Sequence, residues 1–342
     1  MELFPGLHQL RLPLTGSPLG WVNAYLIAGD SGYTLVDCGW DMPDVLEALR
    51  TGIDEIGVRI EEIRTLVVTH NHPDHYGLAG RLVKLAGCGL LMHHLERIHI
   101  ESRYAVVGGL LGEMGEWLRL NGCPPADVPE LSHASMGILS RVNIAMPDRE
   151  VNGGERLDTG KYDFEIVWTP GHSAGHICLF EPRLKIFLSG DHVLDPITPN
   201  IGMHAQSMGN PLADYMDSLE LVRDLDVELV LPAHGEQFHG LRRRVDELLG
   251  HHEERLSQMR QIVADGPATA YTVASRMVWG RSGMTWAQMP MFQQRMAVTE
   301  VLAHLELLHS RREVRKLQRE GTVLFTPQPH AETHHAAAAG GA

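Results

Sequence analysis

The sequence predicts an α/β protein with a helical insertion and a small helical unit towards its C-terminal end. Two observations indicate this class. Short apolar runs rich in Val, Ile and Leu alternate with segments whose apolar residues recur at helical spacing, which is typical of an α/β body. Two long stretches, at residues 93–140 and beyond residue 241, keep the helical spacing without intervening strands.

The first strands and helices follow from local patterns. A hairpin is predicted over residues 22–37, with apolar strands in VNAYLIAG and YTLVDCG joined by the turn-forming Asp30-Ser31-Gly32. A helix is predicted from Pro43 to about Arg50, and a strand that ends at Thr69 comes next. The later predicted elements are a helix over about 75–86, strands at 166–169, 177–180 and 185–189, a helix over about 211–224, and a strand in ELVLPAHG.

The last part of the chain has a different pattern. Helices are predicted over residues 242–264, in TVASRMVW and over 292–309, and EVRKLQREGTVLF predicts a hairpin that turns at Glu320-Gly321. Helices followed by a hairpin indicate a winged-helix-like unit. The helix over 292–309 has an apolar face that could pack on the body or on a second subunit, so a homodimer is one expectation.

The charge distribution supports two domains. The net charge is −14, with a balance of −17 over residues 1–241 and +4 over residues 242–320. We therefore predict domains at 1–240 and 241–326. A balance of +4 over about 80 residues is too weak to favour nucleic-acid binding. Residues 327–342 lack a core-forming pattern, which predicts a disordered tail whose histidines are incidental.

Composition limits the class of protein further. With 44% hydrophobic and 21% charged residues, the 342-residue chain is typical of a globular protein. No apolar run approaches the roughly 18 residues that a membrane span needs, and no signal peptide is recognisable. We therefore expect a cytoplasmic protein without membrane contacts. The four cysteines form no CxxC pair, so neither a disulfide framework nor a thiolate metal site is expected.

The stretch TLVVTHNHPDH carries the clearest functional signal. An apolar strand ends here, and Pro73 prevents its continuation. Three further polar residues follow strands elsewhere, in WTPGHSAGH, FLSGDHVLD and LVLPAHGE. Loops at strand ends are where a rigid scaffold presents ligands. The candidate ligands are His70, His72, Asp74, His75, His172, Asp191 and His234.

Five histidines and two aspartates without a thiolate suit Zn²⁺, and also Fe or Mn. The seven candidate ligands divide into two groups of three, and the seventh, Asp191, can bridge them. Two ions about 3.5–4 Å apart can share a hydroxide, so we predict two divalent metal ions as cofactors. The predicted triplets are His70, His72 and His172, and Asp74, His75 and His234.

This order of motifs resembles the metallo-β-lactamase superfamily, in which HxHxDH is followed by His, Asp and His. The resemblance covers roughly residues 7–240 and implies an αββα sandwich with dinuclear hydrolase chemistry. The absence of a bridging Cys, together with PGHSAGH, resembles the glyoxalase II-like branch. The C-terminal extension is similar to that of the β-lactamase-like protein 2 group, some of whose members cut single-stranded RNA.

Two departures from glyoxalase II affect the expected substrate. The gap between His75 and His172 is longer, owing to the insertion at 93–140, which could act as a lid. The helical domain that binds glutathione through basic residues is not recognisable. Three functions therefore stay open: a hydrolase of small-molecule thioesters, lactones or esters, an endoribonuclease or phosphodiesterase, and a non-catalytic binding protein stabilised by metal. The first is favoured.

The resemblance implies a metal-bridged hydroxide that attacks a carbonyl or phosphorus centre, because a bound ion lowers the pKa of water to about 7. Asp74, His72 and Asp191 are the predicted catalytic residues, with Asp74 also orienting the hydroxide or passing on its proton. His176 and Asp37 are expected to orient the metal ligands without contacting the metals themselves.

Other side chains have weaker roles. His204 and Tyr104 are expected to line the substrate pocket, whereas His192 is expected to point away from the metals. Histidines on helix-like segments are expected at the surface. These are His93, His94, His99, His251 and His252.

Overall fold

The structure is a computed structural model that describes residues 1–105, 107–134, 136–280 and 283–328. Most of the predicted tail, including His330, His334 and His335, lies outside the described residues. Two β-sheets pack face to face and helices cover both outer surfaces, so the predicted α/β class with an αββα sandwich is confirmed.

The first sheet contains seven strands in sequence order. The first four are antiparallel, and the connections from the fourth to the seventh are parallel. Their bounds are β1 Glu2–Phe4, β2 Leu7–Pro13, β3 Trp21–Gly29, β4 Gly32–Val36, β5 Ile63–Val67, β6 Gly89–His93 and β7 Arg149–Val151.

The second sheet contains five strands in the order β12-β11-β10-β9-β8. Strands β11 and β12 are parallel, and the other pairs are antiparallel. Their bounds are β8 Arg156–Asp158, β9 Asp163–Trp168, β10 Ile177–Glu181, β11 Ile186–Gly190 and β12 Leu229–Pro232.

The sequences of the central strands are continuous apolar runs because both faces of these strands are buried. In β5, Val67 contributes to the core between the two sheets, whereas Leu66 packs under the helices of the first outer layer. Both side chains are fully buried. This outer layer consists of α1 Pro43–Glu55, α2 Pro73–Tyr76 and α3 Ala79–Ala86.

The helix predicted over 75–86 is two helices, and the first begins earlier, at Pro73. Proline is favoured at the first position of a helix because its φ angle is already helical and its missing N–H is not needed. Gly77 follows α2 directly, and a Cβ there would lie 2.6 Å from the carbonyl oxygen of Gly39. The break between the helices therefore requires a residue without a side chain.

Most of the remaining helices, which come from three parts of the chain, cover the second sheet, whereas Ile100 and Leu139 of the insertion join the cluster of the first outer layer. The insertion is helical as predicted, with a π-helical turn at Glu101–Ala105 and short 3₁₀ turns elsewhere at Ile60–Glu62 and Trp286–Gln288. The helices are α4 His94–Ile100, α5 Val107–Leu120, α6 Val128–His133, α7 Met136–Leu139, α8 Pro211–Arg223, α9 Leu241–Ala264, α10 Ala270–Arg276 and α11 Met291–Ser310.

Residues 241–326 end in the predicted hairpin, formed by β13 Val314–Arg319 and β14 Thr322–Pro327. Their buried side chains join one apolar cluster with α8, the insertion and the outer face of the second sheet. The apolar face of α11, which includes Val301, Leu305 and Leu308, is buried in this cluster. That face is therefore used within the chain. The winged-helix assignment, the domain division and the lid role stay predictions.

The expected surface position of the helix-borne histidines is wrong for two of them. His93 and His252 are almost completely buried. His93 caps α4 by accepting a hydrogen bond from the amide of Leu95, at 3.2 Å. His252 lies 3.1 Å from His304 on α11. Among the described residues, every helix is too short or too polar to cross a membrane.

Candidate metal centre

All seven predicted ligands lie at one edge of the sandwich, at the carboxyl ends of strands. The loop after β5 carries His70 and His72, and α2 carries Asp74 and His75. The loops after β9, β11 and β12 carry the other three, which are His172, Asp191 and His234. Residues from distant parts of the chain are thus brought to one point.

The first predicted triplet converges on a single point. Nδ1 of His72 lies 2.9 Å from Nε2 of His70 and 2.9 Å from Nε2 of His172. The potential ligand atoms of this triplet all lie within 4.8 Å of one another. Three imidazole nitrogens that face each other this closely are arranged for a shared cation.

The potential ligand atoms of the second triplet, Asp74, His75 and His234, also all lie within 4.8 Å of one another. The Nε2 atom of His234 lies 3.3 Å from Oδ2 of Asp74. Asp191 lies between the two triplets: its Oδ2 is 3.4 Å from Nε2 of His172, and its Oδ1 is 3.5 Å from Nε2 of His234. This is the position that a bridging carboxylate requires.

The second ring nitrogen of each Nε2 candidate is held by a neighbouring group. Nδ1 of His172 lies 3.1 Å from the carbonyl oxygen of Asn200, and Nδ1 of His234 lies 3.1 Å from that of Trp21. A carbonyl only accepts, so both Nδ1 atoms carry the proton and both Nε2 atoms have a free lone pair. The rings are therefore in the tautomer that binds a metal.

Neighbouring carboxylates make the histidines of the two triplets differ in pKa. Burial lowers the pKa of His70 and His72 well below the usual value, and neighbouring histidines lower both further. Burial also lowers the pKa of His75, but the carboxylates of Asp191 and Asp37 outweigh it and raise that pKa well above 6.5. The part of the centre around His75 and Asp191 therefore strongly favours a positive charge.

The residues fit divalent metal ions. Within the described part of the chain, Nε2 of His75, Nε2 of His234 and Oδ1 of Asp191 are buried without a hydrogen-bond partner. Leaving buried polar atoms unpaired costs about 1–3 kcal/mol each, unless they serve another purpose. All three point into the cluster, where imidazole nitrogen and carboxylate oxygen form a donor set suited to zinc.

Asp37 and His176 contact the ligands from outside, in the places where they were expected. Asp37 Oδ2 accepts a hydrogen bond from Nδ1 of His75 at 2.8 Å, and its carboxylate also accepts from the amide and hydroxyl of Thr69. Nε2 of His176 accepts from the amide of Asp191 at 3.0 Å. Gly190 makes room for this contact, since a Cβ there would lie 2.6 Å from Nε2 of His176.

Glu96 is the residue that sequence reasoning missed. It is fully buried in the first turn of α4. One of its oxygens accepts from the amide of Asn71 at 2.7 Å, and the other accepts from the amide of Gly175 at 2.7 Å and the hydroxyl of Ser173 at 2.8 Å. Glu96 thus fastens two ligand loops to the insertion. Nothing in its local sequence distinguishes it from a surface glutamate.

A cavity of about 320 Å³ adjoins the centre at His72 and His172. His204 lines it, as expected. Tyr104 is not among its lining residues, because its hydroxyl donates to the carbonyl of Asn71 at 2.5 Å and the side chain is buried. His192 is outside the ligand clusters, and its ring packs against Tyr215 at a centroid distance of 5.3 Å.

Comparison with known families and proteins agrees with this geometry. The family model described as the metallo-beta-lactamase superfamily matches residues 18–234. The chain is 24% identical over 325 residues to the probable metallo-hydrolase YqjP of Bacillus subtilis (strain 168), covering 92% of this chain and 96% of that protein. It is 25% identical over 257 residues to the lactamase-like protein adaB of Aspergillus niger, but spans only 60% of that protein and 74% of itself.

Solved structures also resemble the whole chain. The metallo-beta-lactamase family protein TTHA1429 of Thermus thermophilus aligns with a TM-score of 0.82 and 28% identity, covering 95% of this chain and 100% of that chain. A beta-lactamase domain protein from Burkholderia ambifaria aligns with a TM-score of 0.81 and 26% identity, covering 96% and 94%. The subclass B3 enzyme BJP-1 of Bradyrhizobium japonicum, at 16% identity and a TM-score of 0.55 over 75% of this chain and 93% of that chain, shares the fold alone.

Proposed function

Because the chain belongs to the metallo-β-lactamase superfamily, we propose that it is a dinuclear metal-dependent hydrolase of small-molecule thioesters, lactones or esters. The observation that carries this proposal is the convergence of seven imidazole and carboxylate side chains beside a cavity of about 320 Å³. A cavity of this volume is of the size that encloses a small molecule. Zinc is the proposed metal, with Fe or Mn as alternatives.

The roles of the ligands follow from their donors. His70, His72 and His172 would hold one ion, the second triplet would hold the other, and Asp191 would contact both. When bound, the ions would supply hydroxide at neutral pH and stabilise negative charge on the reacting carbonyl. His72 and His172 border the cavity, so a bound substrate would place its scissile bond at that end.

Asp74 is the ligand best placed to handle a proton. Its side chain is 19% exposed, whereas those of His75 and His234 are 0% and 1% exposed. Burial raises the pKa of Asp74, but His75 and His234 outweigh it and lower that pKa below the usual value. The carboxylate is therefore ionised at neutral pH and can orient an attacking water or accept its proton.

Thiol release tests this proposal. Metal-loaded protein is offered a panel of acyl-CoA and acyl-glutathione thioesters, and free thiol is measured over time. We expect release from at least one thioester and a loss of at least about 100-fold in Asp74→Ala, because the variant lacks a ligand and a proton acceptor. Metal content is measured for both proteins. Asp54→Ala, at an exposed position of α1, is the matched control and should keep full activity.

Full release by Asp74→Ala would contradict the assignment of this residue. If the wild-type protein binds two ions but releases no thiol, lactones and phosphodiesters become the next substrates to test. Inactivity towards all three classes would favour the non-catalytic alternative, in which the metals stabilise a binding protein.

RNA cleavage is the second candidate, favoured by one feature of the C-terminal hairpin. Strand β13 has five exposed positions, including Arg315, Lys316 and Arg319. The enclosed volume of the cavity favours a small molecule instead, and Lys316 is already paired with Glu306. Strongly salt-dependent binding of single-stranded RNA, weakened by substitution of Arg315 or Arg319, would support the nuclease.

A further inference from the structure

Two arginines line the cavity beside the candidate metal centre, and we propose that these residues, Arg103 and Arg295, bind an anionic group of the substrate, a carboxylate or a phosphate. This inference rests on the proposed hydrolase function and specifies its substrate class: a molecule with a hydrolysable acyl bond and a separate negative charge. The two arginines come from distant parts of the chain, the π-helical turn of the insertion and α11, and line the same cavity.

Arg103 is connected to the ligand loop. Its Nη1 donates to Oδ1 of Asn71 at 3.3 Å, and Asn71 stands between His70 and His72 in the chain. The guanidinium carbon also lies 5.9 Å from the ring centroid of Tyr104, whose hydroxyl donates to the carbonyl of Asn71. Arg103 is therefore held at a defined distance from the centre.

Arg295 contributes the second positive charge, and only 9% of its surface is exposed. Burial, with a contribution from the nearby Arg103, lowers its pKa to about 10, so it stays charged at neutral pH. His204 lines the cavity with the two arginines, and burial and both of their charges lower its pKa to about 3. A neutral His204 can donate a hydrogen bond to an anion while the arginines supply the charge.

Positively charged side chains outnumber carboxylates on the described lining of the cavity. An anion in the cavity would be attracted to both guanidinium groups. Among the described residues that line the cavity, Asp214 is the only carboxylate. The chain as a whole has a net charge of −14, so the basic cavity is a local feature and does not follow from composition.

The remaining wall indicates the rest of the ligand. Leu95, Met114, Trp168 and Met208 line the cavity with apolar surface. A carboxylate or phosphate prefers the planar fork of a guanidinium, whereas an acyl chain or ring would contact this apolar wall. The substrate class is therefore an amphipathic anion. This arrangement also gives residues 241–326 a function, because Arg295 lies in that segment.

Matched esters test the inference on the metal-loaded protein. Mono-4-nitrophenyl glutarate carries a terminal carboxylate, 4-nitrophenyl valerate ends in a methyl group, and the 4-nitrophenyl ester of 4-phosphonobutyrate separates phosphonate from carboxylate recognition. We expect kcat/KM of the wild type to favour an anionic ester by about 10-fold or more. In Arg295→Gln this preference should fall by about 10- to 100-fold, because KM for the anionic ester rises. The kcat/KM for the neutral ester should change less than about two-fold.

Further variants distinguish the loss of a positive charge from a failure of the protein to fold. Arg295→Lys should retain part of the preference, because the positive charge stays while the fork is lost. Arg103→Gln should lower the same preference, and it reports on the cavity even if Arg295→Gln fails to fold. Arg50→Gln, at an exposed position of α1 away from the cavity, is the matched control and should leave the preference unchanged. Equal losses for charged and neutral esters, or a wild-type preference for the neutral ester, would overturn the inference.

A binding measurement distinguishes failure of this inference from failure of the proposed function. Glutarate, methylphosphonate and the neutral glutaramide are titrated calorimetrically into the same metal-loaded proteins. We expect glutarate or methylphosphonate to bind the wild type at least about 10-fold more tightly than Arg295→Gln, with no binding of glutaramide. Arginine-dependent binding without ester hydrolysis would refute the hydrolase but retain the anion site. Anion binding that is equal in all variants would place the anion elsewhere and refute the site.

Discussion

Three histidines of the candidate centre, His75, His172 and His234, are oriented by a group that holds the other ring nitrogen. Trp21 and Asn200 fix two rings through backbone carbonyls, which specify one tautomer without any side chain. Asp37 holds His75 by a carboxylate, which specifies the same tautomer and adds negative charge. These outer contacts orient the ligand and increase its basicity, so their loss weakens metal binding even though the ligand remains.

Asp37→Asn tests this effect on a single residue. Asp37 has a positive φ of 59°, a conformation that asparagine tolerates well, so the backbone should be retained. The variant loses the negative charge next to His75, and we expect metal affinity to fall about 10- to 100-fold. Competition with a chelator of known affinity measures the change. Asp41→Asn, which affects only the ion pair with Arg81, should bind metal as the wild type does.

At the scale of elements, α4 does more than connect β6 to the insertion. The N-terminal turn of a helix favours negative charge, and Glu96 lies there with both oxygens turned towards the ligand loops. Its three acceptor contacts join the loop after β5 to the loop after β9. The relative position of His72 and His172 therefore depends on a helix that contributes no ligand.

Glu96→Ala should lower the free energy of unfolding by about 2–5 kcal/mol, because the amides of Asn71 and Gly175 are left buried and unpaired. Urea unfolding followed by circular dichroism measures this quantity, and metal content should fall with it. Glu96→Gln keeps one carbonyl acceptor, so its loss should be smaller. Unchanged stability in Glu96→Ala, or an equal loss in the exposed control Glu101→Ala, would show that the loops are positioned otherwise.

At the scale of the whole molecule, the C-terminal helices are part of one core with the second sheet. A polar connection passes through this core: Nδ2 of Asn200 donates to Glu300 on α11 at 2.9 Å, and the carbonyl of Asn200 holds His172. Nearby, His304 and His252 pack in contact between α11 and α9. The C-terminal segment thus supports the metal centre from behind as well as bordering the cavity.

His304 should make stability depend on pH. Burial lowers its pKa to about 3, against 6.5 for an ordinary histidine. Between these values the unfolded chain binds a proton that the folded chain does not, so this residue reduces the free energy of unfolding as pH falls below 6.5. The slope approaches about 1.4 kcal/mol per pH unit.

Urea unfolding at pH 7, 6 and 5 tests this contribution. His304→Gln removes the titrating group, so its free energy of unfolding should fall less steeply with decreasing pH than that of the wild type. Contributions from histidines that do not contact His304 are common to both proteins and cancel in the comparison. His133→Gln, at an exposed position, should keep the wild-type slope. Equal slopes in His304→Gln and the wild type would contradict the prediction.

The sequence by itself determined the fold class and the set of candidate ligands. Apolar runs such as Leu66–Val68 identify strands because both faces of a central strand are buried. HNHPDH identifies four candidate ligands because so many polar side chains within six residues would be costly to bring together for packing alone. The order in which His172, Asp191 and His234 follow strands was also sufficient to group them, since strand ends meet at an edge of the sheet.

Only the tertiary structure decided which other residues reach the centre. Glu96, Asn200, Arg103 and Arg295 have ordinary local sequences, and their positions depend on how the insertion and α11 pack against the rest of the fold. The burial of His93 and His252 could not be predicted for the same reason. Helical spacing shows that a segment is a helix, but the neighbours that cover a given side chain come from contacts between residues far apart in the chain.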